Sequence, residues 1–135
     1  MLISAPSTAV FASSEDGLSM TPTPRFNNAS DIEIVFVIDD DGVATIGTIF
    51  SGYDGVATHA DITIKLEKKF LFFWTDVDIG YPDDIYTATI YGSFGMHEAD
   101  FQLPSTGTYR ATVTVTAYGS GGSPDVIEYT AENEY

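Results

Sequence analysis

Carboxylates are the most abundant reactive groups in this chain, and they come in tight sets: Asp39-Asp40-Asp41-Gly42, Asp76 with Asp78, and Asp83-Asp84. Hard oxygen ligands at such spacing could share a calcium ion between two loops. The loop pattern D-x-[DN]-x-[DN]-G is absent, however, and aspartates running into a glycine are what a hairpin turn asks for. No cofactor is expected; a structural calcium is the one ion weighed. Paired carboxylates could also act as the acid and base of a small hydrolase. No pair sits among apolar neighbours that would raise one pKa, so the chain is read as non-enzymatic. The two imidazoles, His59 and His97, stand in no nucleophile or metal motif. His97 alternates with Ala99 and Phe101, which predicts a partly buried, hydrogen-bonded ring. Cysteine is missing altogether, which removes disulfides, thiolate metal sites and thiol nucleophiles.

Aromatic side chains offer the other chemistry. Read as one strand, the segment from Phe70 to Val77 puts Phe70, Phe72 and Trp74 on one face and Leu71, Phe73 and Val77 on the other. One face must be core, and Trp74 is assigned to it. The simplest expectation for the second face is cover, by the connection around Pro82 or by the N-terminal lead-in. An uncovered row would instead be a contact surface, with Phe72 and Phe73 joined by Tyr53, Tyr81 and Tyr86 to stack on sugar rings or dock a protein. The alternative function is accordingly a carbohydrate-binding module built on the Phe70–Trp74 strand.

The elements that must hold these residues are legible from period-two patterning. From Thr108 to Tyr118, Tyr109, Ala111, Val113, Val115 and Ala117 point one way; Arg110 and a ladder of threonines point the other. Ile32, Ile34, Phe36 and Ile38 alternate likewise, and so do Ala60, Ile62, Ile64 and Leu66. Turn signals recur every 8 to 12 residues, as short strands of a sandwich require, and no helical period appears. The expectation is an all-β, antiparallel β-sandwich of seven to eight strands, with a closed barrel as the runner-up. The first two strands and the one before Leu103 should share a sheet; the strands at Ala60, Phe70, Thr108 and Asp125 should form the other.

Four segments carry a family resemblance: Gly42-Val43-Ala44-Thr45-Ile46-Gly47, Ile62 to Lys69, Trp74, and Gly107-Thr108-Tyr109-Arg110. In this order they resemble a group of small exported Ig-like domains of Gram-positive bacteria. The resemblance spans roughly residues 30 to 133 and implies an Ig-like or fibronectin-like sandwich and export, with no activity to carry over. The Gly-x-Tyr step resembles a tyrosine corner, in which a buried phenol bonds the backbone upstream. Phe70 to Phe73 depart from the pattern, which has polar loop residues there. Leu103-Pro104-Ser105-Thr106-Gly107 resembles, letter by letter, the signal that sortases cleave on Gram-positive walls. A working signal precedes an apolar stretch and a basic tail; here an amphipathic strand and acidic residues follow, so Gly107 is assigned to the corner instead.

With 135 residues the chain is expected to fold as one domain, large enough for a core without staples. Residues 1–12 read as the remnant of a signal peptide, with Val10 and Ala12 placed as at a cleavage site before Ser13. Residues 13–30 read as a polar lead-in, and 31–135 as the sandwich. Extracellular, secreted or surface-associated placement follows. Five basic against 20 acidic residues give a net charge of −15. Such a surface repels phosphate backbones, which argues against nucleic acid, and no apolar run approaches the length of a membrane span. The expected partner is a protein or a glycan of unknown identity, and the expected role is structural or adhesion-like binding.

Overall fold

Alternating apolar residues do form the strands that the patterning demands. The computed structural model describes the backbone of Ala9–Ser13 and all of residues 26–135. Nine strands follow in order: β1 (Ala9–Ser13), β2 (Ala29–Ile38), β3 (Val43–Gly52), β4 (Ala57–Phe70), β5 (Phe73–Asp76), β6 (Tyr86–Tyr91), β7 (Phe94–Gln102), β8 (Thr108–Gly119) and β9 (Asp125–Glu134). A short 3-10 turn, Pro82–Asp84, lies between β5 and β6. One sheet has the order β1-β2-β3-β7 and the other β5-β4-β8-β9, with β6 also pairing on β4. Every pairing is antiparallel. The protein is an all-β sandwich of two antiparallel sheets, divided as the sequence implies.

The core lies between the sheets. Ile32, Ile34, Phe36 and Ile38 of β2 meet Ala60, Ile62, Ile64 and Leu66 of β4 and Tyr109, Ala111, Val113, Val115 and Ala117 of β8. Burying a side chain the size of Phe36 or Phe50 contributes about 1.5–3 kcal/mol. Strand β1 pairs with β2, Phe11 opposite Val35, at the edge of the first sheet. Apart from Ala9–Ala12, the signal-like segment 1–12 lies outside the described residues, as does the lead-in except for Ser13 and residues 26–30.

Two polar devices lock the ends. At one, the Tyr109 ring is fully buried and its hydroxyl donates to the Ser105 carbonyl at 2.6 Å, as a tyrosine corner requires. The sortase-like segment is thereby built into the fold: Leu103 is buried and the Gly107 N–H donates to the Tyr135 carbonyl. At the other end, the Asp125 carboxylate accepts the backbone N–H groups of Asn27, Asn28 and Ala29 at 2.7–2.9 Å. The buried Asn28 amide accepts from the Gly121 N–H and donates to Ser123. Gly121 is obligatory here, because a Cβ would collide with the Asn27 carbonyl. Together these bonds tie the entry of β2 to the entry of β9.

Candidate functional site

The segment read above as one strand through Phe70 and Trp74 is a hairpin. Strand β4 ends at Phe70, the chain reverses over Leu71 and Phe72, and β5 returns with Phe73 opposite Phe70 and Trp74 opposite Lys69. Cross-strand partners share a face, so the turn resets the alternation. Trp74 therefore sits with Lys69 and Arg110 on the outer face and is only half buried. Its assignment to the core is corrected: the Arg110 guanidinium lies over the indole at 4.4 Å, and Lys69 at 5.9 Å.

Among the described residues nothing covers the remaining rings either; residues 14–25 of the lead-in, weighed as a cover, lie outside them. Phe72 is 91% exposed, Phe73 64% and Phe70 62%, with Leu71 beside them. Strand β8 reaches only as far as Lys68, so Lys69 to Phe73 project past the end of β8 as a two-stranded tip. Leu71 holds φ 56°, a left-handed conformation that costs a non-glycine residue about 1–2 kcal/mol. A two-residue hairpin normally places glycine or asparagine there. A large apolar residue in a strained, solvent-facing turn is a backbone outlier of the kind that clusters at functional sites.

Charge is concentrated at the same place. Of the five cations in the sequence, Lys65, Lys68, Lys69 and Arg110 all stand at or below this tip. Arg110 donates twice to Glu67, at 2.7 and 2.9 Å, and Lys65 pairs with Asp76 at 3.1 Å. The hydrogen bond to Asp76 and its charge raise the pKa of Lys65. Lys68 and Lys69 have no carboxylate partner among the described residues; Lys68 donates to the Ser105 hydroxyl. They flank the apolar tip from opposite faces of the strand.

The other residues of the expected contact row lie elsewhere. Tyr86 pairs with Ile64, about 20 Å down β4 from Phe70. It packs edge-on against Tyr81 and Phe101, and its hydroxyl bonds His97 Nε2 at 2.6 Å. That contact satisfies His97 as expected. Burial, and secondarily Tyr81, pushes the Tyr86 phenol up. Tyr53 is in the β3–β4 loop at the far end of the molecule. Phe72 and Phe73 are thus brought together, and Tyr53, Tyr81 and Tyr86 are not joined to them. His59 stacks on Tyr118 at 4.5 Å and 9°, so neighbouring strands turn ring faces to each other rather than outward.

No three carboxylates or imidazoles converge on a metal-sized site among the described residues. No helix there is long and apolar enough to cross a membrane. No family model matches the chain, nor does any curated protein or solved structure.

The lysine collar was readable in Lys68-Lys69 directly before Phe70, but the turn at Leu71-Phe72 carries no glycine, asparagine or proline to announce it.

Proposed function

We propose that the protein is an exported, Ig-like, non-enzymatic binding domain of the Gram-positive type, with an adhesion-like role carried by the β4–β5 tip. The observation that bears this reading is the exposure of Phe72 and Phe73 in a strained turn with lysines at its base. A protruding apolar knob suits insertion into a partner's hollow, where buried aromatics supply most of the binding energy. It suits flat stacking on sugars less well, since Tyr86 lies about 20 Å down β4 by about 3.3 Å per strand residue and Tyr53 beyond the other end of β4.

The test is adhesion. Beads coated with the protein are counted on purified Gram-positive cell walls, with the wild type beside Phe72→Ser/Phe73→Ser. Retention by the wild type and loss by the variant is the expected outcome. Equal retention by both would remove the tip from the binding surface.

A further inference from the structure

The molecule carries a second exposed apolar patch, and its surroundings are the electrostatic inverse of the tip. On the outer face of the first sheet, Phe94 and Met96 of β7 are 68% and 63% exposed. Met96 stands opposite Ile49, which stands opposite Glu33; Phe94 stands opposite Ser51, which stands opposite Asp31. Glu98 follows Met96 on the same face. Phe94, Ile49 and Met96 are therefore rimmed by Asp31, Glu33 and Glu98, all exposed and without a cation in ion-pair reach among the described residues.

The two patches lie at opposite ends. Phe94 adjoins the β3–β4 loop, where Gly52 donates to the Ser93 carbonyl. From the start of β4 to the tip is about 40 Å along one strand. One end presents an apolar knob with lysines at its base; the other presents an apolar face with a carboxylate rim.

We infer that the tip of one copy docks on the Phe94–Ile49–Met96 face of a second copy, so that the protein assembles head to tail. This rests on the reading of the tip as a contact surface. Phe72 and Phe73 would bury against Phe94 and Met96, while Lys68 and Lys69 meet Glu33 and Glu98. Each lysine thereby gains a carboxylate that no described residue of its own chain supplies, and each carboxylate a cation. The contact is heterologous, joining different patches of the two partners, and such a contact propagates into an open chain unless the rotation between copies closes a ring. An anionic bilayer, the other natural target for an apolar tip beside lysines, is opposed by the −15 charge of the body.

Sedimentation velocity of the full chain over a concentration series tests this. The wild type is expected to form a ladder of oligomers that grows with concentration. Phe72→Ser/Phe73→Ser and, separately, Glu33→Lys/Glu98→Lys should each weaken association by about tenfold or more. All four positions are exposed, and unchanged circular dichroism and melting confirm that the variants fold. An equimolar mixture of the two variants should recover a one-to-one complex, because one retains an intact face and the other an intact tip. A wild type that stays monomeric to millimolar concentration overturns the inference, as does a mixture that fails to pair. If the wild type is monomeric while the tip variant still loses adhesion to cell walls, only the second copy is rejected and the contact surface stands. Tip-dependent binding to phosphatidylglycerol vesicles by a strictly monomeric protein would give the tip to lipid instead.

Discussion

The two ends of β4 obey opposite rules. Near Ala57, the chain entries converge on the Asp125 carboxylate and the Asn28 amide, whose polar atoms are taken up by backbone groups almost a hundred residues distant. At Phe70, large apolar side chains stand in water, one of them in a left-handed turn. Buried polar groups that are fully bonded hold a fold together, whereas exposed apolar groups held under strain cost stability. The contrast separates groups that stabilise the fold from groups that the proposed contact would use.

The sharpest way to break the folded end is Asp125→Ala. The buried N–H groups of Asn28 and Ala29 and the part-buried one of Asn27 would lose their acceptor, at about 1–3 kcal/mol for each buried one left unsatisfied. We expect a loss of about 3 kcal/mol or more in urea unfolding. A shift under about 1 kcal/mol would mean that water reaches those groups and that the clamp is ornamental. Next in size is Tyr109→Phe, which removes only the hydroxyl and leaves the Ser105 carbonyl without that donor. A cost of about 1–1.5 kcal/mol is expected from the same measurement.

The tip should respond in the other direction. Leu71→Gly relieves the left-handed strain but frees the unfolded chain, so a net gain of about 0.5–1 kcal/mol is expected. The same variant should adhere less well, because it removes apolar surface. A variant that gained stability and kept full adhesion would show that Leu71 is not held there for contact.

These differences also explain what could be read in the chain. Strands β2, β4 and β8 were legible because one wet and one dry face imposes a period of two on Ile32 to Ile38, Ala60 to Leu66 and Tyr109 to Ala117. The corner was legible because Gly107 and Tyr109 stand two residues apart, as a Gly-x-Tyr step. The clamp was not, since Asn28 and Asp125 meet only after the sheets close. Trp74 was misplaced for a local reason: parity counted through an unrecognised turn is inverted on the far side. The strand at Ala9–Ser13 gives no alternating signal, and apolar residues there read equally as a leader segment.

The smallest effect lies between the two ends, at Tyr86. Burial against Phe101 and Tyr81 disfavours its tyrosinate, so its folded pKa stands above the ordinary 10.0. The folded state therefore holds this proton at pH values where the unfolded chain has released it. Stability from this source is complete below pH 10.0 and is lost as pH rises through the folded value. Lys65 acts in the same sense, its pKa being raised by Asp76, but it is a surface group whose pair is screened by salt. Tyr86→Phe isolates the phenol: the variant lacks the bond to His97 and starts lower, but its urea midpoint should fall less steeply between about pH 9 and about pH 11. Equal slopes would mean that Tyr86 ionises as freely as in the unfolded chain, and that the gap it fills beside His97 and Phe101 is open to water.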